Sequence, residues 1–202
     1  CLWMFQDEEL QRPHYMSARR LRSMLARFSI LRCVKLDGIL LTYRGLVQGW
    51  NGTSISPRYL CNLLSEGCGS NLERLELHVA EEEPPVGAAL LPSTNNDLFI
   101  DIRLEKLQTL RIAGEIGHAE NPLCRSLLCA TTRLVDLALC GCHNLNDHDV
   151  EGVILPRFRH TLRRISINEC AGLETPVVQS SILESLSMQK CINLDSVALD
   201  CP

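Results

Sequence analysis

Three stretches in the last third of the chain carry one ladder of apolar residues. In LVDLALCGCHNLNDHDV, residues 134–150, Leu134, Leu137 and Leu139 stand at offsets zero, three and five, followed by Cys142, Leu145 and Val150. LRRISINECAGLETPVV runs the same frame through Leu162, Ile165, Ile167, Cys170 and Leu173. LESLSMQKCINL repeats it through Leu183, Leu186, Met188, Cys191 and Leu194. Residues two apart on a strand share a face, so the second and third rungs mark a short strand with one apolar side. A unit this short cannot bury that side alone. Copies must stack, and the expectation is a solenoid of strand, turn and return segment.

The frame extends backwards. LQTLRI gives Leu107, Leu110 and Ile112; LERLEL gives Leu72, Leu75 and Leu77; LRCVKL gives Leu31, Val34 and Leu36. The starts are separated by 41, 35, 27, 28 and 21 residues. The middle spacings suit a repeat with a true helix, the first two need insertions, and the last is compact. Ser56-Pro57, Asn121-Pro122 and Thr175-Pro176 each place a good N-cap before a proline whose missing N–H costs nothing at the first helical position. Asp147 reads as the cap of HDVEGVILPRF, and Gly67 and Gly69 as the close of the helix begun at Pro57. Leu21, Met24, Leu25 and Phe28 form the stripe of a helix over about 16–27. Strand, crossover helix and parallel strand in alternation predict five or six parallel strands with helices behind them. Near the end, Leu194, Val197 and Leu199 repeat the offsets, either as a final half-repeat or with Leu194 completing the turn before it.

The regularity breaks over 80–103, where Glu81, Glu82, Glu83, Pro84 and Pro85 argue for an exposed excursion. One domain over 1–202 is expected, irregular through residue 106 and regular from 107. Of 11 cysteines, Cys142, Cys170 and Cys191 share one repeat position, where a small buried side chain is wanted. Cys61, Cys68, Cys124 and Cys129 fall in or beside helical segments. This placement predicts reduced thiols and an intracellular, reducing compartment, the cytoplasm first. No run reaches the roughly 18 apolar residues of a membrane-spanning helix, and CLWMFQDEEL has no secretory signal pattern. The chain closes at Cys201-Pro202 without a polar capping helix, so further sequence or a covering partner is expected there.

These phrases resemble the cysteine-containing leucine-rich repeats of F-box/LRR proteins and related adaptors. The match is clearest in residues 134–150, 162–178 and 183–194 and reaches back to about residue 31. The fold expected is an α/β leucine-rich repeat solenoid, curved, with parallel strands on the concave face and helices on the convex face. In that family the repeats hold a protein substrate while a separate F-box recruits a ubiquitin-ligase core. No F-box is legible in CLWMFQDEELQRPHYMSARRL.

Enzyme chemistry finds no support. Cys140, Cys142, His143 and His148 suggest zinc, but Cys142 belongs to the ladder and Cys140 to the opposite side of its strand, so no metal or other cofactor is expected. No phosphate loop, HExxH or G-x-S-x-G appears. Asn51-Gly52-Thr53 reads as a turn rather than a glycosylation acceptor.

Alternation places the other residues of each strand outward. The binding candidates are Lys35, Asp37, Arg74, Glu76, His78, Arg111, Asp136, Arg164 and Asn168, with Cys33, Thr109, Ala113, Ala138, Cys140, Ser166, Ser185, Ser187 and Gln189 between them. The floor is charged at its first strands and small and polar at its last. It lacks aromatics to stack bases, and Asp37 and Glu76 interrupt any positive track, so direct contact with nucleic acid is not expected. The net charge of −4 agrees. The competing surface is the acid-free basic stretch holding Arg12, Arg19, Arg20, Arg22, Arg27 and Arg32. The function expected is a non-enzymatic protein-interaction subunit or scaffold of a larger complex, or, from the resemblance, the substrate-recognition part of a ubiquitin-ligase adaptor.

Overall fold

The computed structural model describes residues 2–4, 23, 25, 27, 30–40, 57–80, 103–114, 122–143 and 145–200. The excursion after Ala80, Asn51-Gly52-Thr53, and Arg12, Arg19, Arg20 and Arg22 lie outside them. Of the helix expected over 16–27, Ser23, Leu25 and Arg27 are described and helical, with Leu25 buried.

Each ladder phrase forms a strand, and every pairing is parallel. The strands are β1 (Leu2–Met4), β2 (Cys33–Leu40), β3 (Arg74–Ala80), β4 (Thr109–Ala113), β5 (Asp136–Cys140), β6 (Arg164–Asn168) and β8 (Ser185–Gln189), joined in that order into one sheet. Ladder residues align across it: Leu36, Leu77, Ile112, Leu139, Ile167 and Met188 form one row. A one-residue slip would turn every apolar side chain to the opposite face, so the buried side holds this register.

The back layer is built from unlike pieces. Helix α1 (Pro57–Cys68) crosses from β2 to β3, and α2 (Pro122–Ala130) from β4 to β5. Between β5 and β6 a π-helical stretch, Asp149–Ile154, runs into the single turn α3 (Leu155–Phe158). Leu60, Leu64, Leu127, Leu128, Val150, Ile154 and Phe158 from these segments share one core with the ladder. Arg157 ties two of them together, donating from Nε to Leu128 O at 2.8 Å and from Nη2 to Cys129 O at 2.7 Å. These are carbonyls at the end of α2, where a cation is favoured.

Several expectations are corrected. The curved leucine-rich repeat solenoid is not what forms. The sheet is open, without the curling or closure such a solenoid requires, and a separate two-stranded sheet stands beside it. Val177–Gln179 (β7) pairs in parallel with Ala198–Asp200 (β9). The helix expected after Thr175-Pro176 is therefore a strand, as suits the β-branched pair Val177-Val178. Helices pack about 8–10 Å apart but strands only about 4.8 Å, so at the C-terminal end, where β7 pairs with β9 in place of a helix, nothing spreads the back of the sheet outward. The main sheet has seven strands, since β1 adds to the six ladder strands. The last set of offsets, through Leu199, enters the small sheet, while Leu194 and Val197 pack against the core.

Two local assignments also change. Asn146, not Asp147, caps the helix of the third crossover. Its Oδ1 accepts the Asp149 N–H at 3.0 Å, and Asp149 Oδ2 accepts the Asn146 N–H at 3.1 Å, a reciprocal capping box. Asp147 instead accepts the Glu174 and Thr175 N–H groups at 3.1 and 2.9 Å, tying its turn to the next return segment. Gly67 lies inside α1 rather than ending it. A Cβ there would meet Leu25 Cβ at 2.6 Å, so the glycine permits close approach of the preceding helical residues.

Candidate interaction face

Burial alternates along each strand as the ladder dictates. In β5, Leu137 and Leu139 are buried while Asp136, Ala138 and Cys140 face forward. The parallel register sorts the forward residues into rows. One row runs Cys33, Arg74, Thr109, Asp136, Arg164 and Ser185; the next runs Lys35, Glu76, Arg111, Ala138, Ser166 and Ser187. The third runs His78, Ala113, Cys140, Asn168 and Gln189. All the candidates named from sequence whose side chains are described thus share one face. Asp37 lies on β2, and its side chain is outside the described residues.

Glu76 organises the charged end. Arg74 grips it with Nε at 2.8 Å and also with Nη2. Lys35 Nζ and Arg111 Nη1 each stand 3.9 Å from it. The bond to Glu76 raises the Arg74 guanidinium above its ordinary pKa and keeps it charged. In the first row, Arg164 Nε lies 3.2 Å from Asp136 Oδ2. Asn168 donates from Nδ2 to Ser166 Oγ at 3.2 Å, and its Oδ1 is buried with no hydrogen-bond partner among the described residues. His78 is exposed at the end of the charged half.

A further set of residues escaped the sequence reading. Gly114, Gly141, Glu169 and Lys190 each follow the last residue of a strand and have positive φ, at 101°, 67°, 57° and 56°. The left-handed turn swings the chain off the sheet while the ladder continues one step: Gly114, Gly141 and Glu169 donate to Cys140 O, Asn168 O and Gln189 O at 2.8, 2.9 and 2.9 Å. The glycines at the first two positions were the available signal. At the last two, Glu169 and Lys190 occupy a conformation side chains disfavour, and they pair at 2.7 Å. Lys190 holds the Glu169 carboxyl below its usual range, and Glu169 raises Lys190.

The cysteine rungs line the core just behind these turns. Cys142 donates to Gly114 O at 3.5 Å, Cys170 to Asn168 O at 3.3 Å and Cys191 to Ile167 O at 3.7 Å. Cys142 and Cys170 are buried, as expected; Cys191 is only half-buried because no described strand follows β8 in the sheet. The neighbouring Cys170 and burial raise the Cys142 thiol, and Cys142 in turn lowers Cys170. Cys33, Cys68, Cys124, Cys129, Cys140, Cys142, Cys170 and Cys191 are free thiols, and no group of described residues could hold a metal ion. No helix among the described residues is long and apolar enough to cross a membrane.

Comparison with protein-family models, curated proteins and solved structures returns no match for this chain.

Proposed function

We propose that this chain is a non-enzymatic protein-interaction module that engages its partner through the front face of the parallel sheet. The observation that carries the reading is the ordering of that face. Adjacent strands hold charged side chains in register over a fixed core, and mixed signs held in place favour specific polar matching. The small forward residues Ala138, Ser166 and Ser187 leave room beside the charged end for another chain to lie close.

Bulk placed on those small residues tests the reading. Ala138→Tyr and Ser166→Tyr point forward from strands, where tyrosine is well tolerated. Tagged protein recovered from its native cells is compared with these variants by quantitative mass spectrometry, after circular dichroism confirms the fold. The expected result is loss of the partners that co-purify with the unmodified chain. Arg159→Glu, on the exposed turn after α3, should leave them in place. The opposite pattern would assign binding to the back layer and overturn the proposal.

A further inference from the structure

The two charged rows of the front face repeat one order. Lys35, Glu76 and Arg111 run cation, carboxylate, cation across β2, β3 and β4. Arg74, Asp136 and Arg164 run the same order on β3, β5 and β6, with Thr109 between the first two. In both rows the carboxylate is recessed and the guanidinium stands above it. The side chains of Glu76 and Asp136 are 16 and 18 % exposed, those of Arg74, Arg111 and Arg164 45, 48 and 52 %.

From this layering we infer that the front face binds an extended acidic peptide segment, with carboxylates seated on Arg74, Arg111 and Arg164. The inference rests on the reading of this face as a partner surface and names the partner's chemistry. The described side chains of these rows hold three arginines against two carboxylates, on a chain whose net charge is −4. The remainder of the molecule supplies no general attraction for an acidic ligand.

The recessed carboxylates hold Arg74 and Arg164 in place, which lowers the ordering cost of binding. Donors remain for a ligand. Among the described residues Arg111 makes no hydrogen bond, and Arg164 commits only Nε. A guanidinium has five N–H donors in a planar fork that suits a carboxylate. Spacing fits as well. Arg74 and Arg111 are one strand apart and offset by two residues, roughly 8 Å by sheet geometry, while an extended peptide presents same-side residues roughly every 6.8 Å. Flexible arginine and glutamate side chains close that difference. The described side chains of these rows include no aromatic to stack a base, which favours a peptide over a nucleic acid.

Fluorescence anisotropy with a labelled (Glu-Ser)4 peptide tests the inference, with (Lys-Ser)4 and a twelve-residue oligothymidylate as comparison probes. At low ionic strength the acidic peptide should bind and the lysine peptide should not. Arg111→Gln and Arg164→Gln should each weaken binding roughly fivefold, the worth of about 1 kcal/mol per exposed ion pair. Arg159→Gln should have no effect. Binding indifferent to Arg111→Gln and Arg164→Gln, or tighter binding of the oligonucleotide, would overturn the assignment. Absence of acidic-peptide binding, with Ala138→Tyr still stripping native partners, sinks the acidic specificity and leaves the front-face reading standing. Failure of both experiments removes both.

Discussion

Replacing leucine by alanine at two rungs of the same ladder position, Leu137 in β5 and Leu186 in β8, should give unequal losses of stability. Leu137 is 0 % exposed and lies in register between Leu110 and Ile165. Truncation removes three buried carbons at about 0.8 kcal/mol each, about 2.4 kcal/mol. Neighbouring rungs belong to hydrogen-bonded strands and cannot collapse fully. A residual cavity on the order of 50 Å³ at about 24 cal/mol per Å³ adds about 1 kcal/mol. The expected loss is about 3.5 kcal/mol. Leu186 is half-buried, with Ile165 on one side and no described strand on the other. Half the transfer contribution applies, and the gap opens to solvent instead of forming a void, so the loss should be about 1.2 kcal/mol. Urea denaturation followed by circular dichroism measures both, as the shift in midpoint at constant slope. Coincidence with tryptophan fluorescence checks that a single transition is compared. Equal losses would refute the argument, because they would mean that Leu186 is as enclosed as Leu137.

The left-handed turns give a second contrast. A Cβ at Gly114 would sit 2.1 Å from Val79 O, whereas at Gly141 the nearest atom is 3.7 Å away. Gly141→Ala should cost only the conformational penalty, about 1 kcal/mol, and Gly114→Ala clearly more; thermal denaturation that ranks them the other way would contradict the turn geometry. The third concerns pH. Burial pushes the Cys68 thiol from its ordinary value of 9.0 to about 11. A raised folded pKa means that the stabilisation is complete below 9.0 and is lost as the pH climbs towards 11. Cys68→Ala should flatten the decline in urea midpoint over that window, and an unchanged decline would show that Cys68 does not ionise with unfolding.

Much of the front face was legible because parallel strands obey a period of two. Leu75 and Leu77 had to point the same way, so Arg74, Glu76 and His78 had to point the other, and their placement followed without any tertiary knowledge. The caps were less legible. Asn146 and Asp147 are chemically similar acceptors, and only the path of the next return segment, whose Glu174 and Thr175 N–H groups reach Asp147, decides which one serves the helix.

The sequence by itself determined the six ladder strands, their parallel order and the split between buried rungs and forward residues, because these depend on local periodicity and on connections long enough to cross over. Only the tertiary structure decided what stands behind the sheet. Val177-Val178 pairs with Ala198–Asp200, a partner some twenty residues on, and no helical pattern nearby could announce a strand there. At that end of the sheet the same pairing removes the outward spread on which a curved solenoid depends. The ion-pair layering was likewise beyond sequence. Alternation brings Lys35, Glu76 and Arg111 into one row, but only side-chain packing sinks the carboxylate and leaves the guanidinium above it.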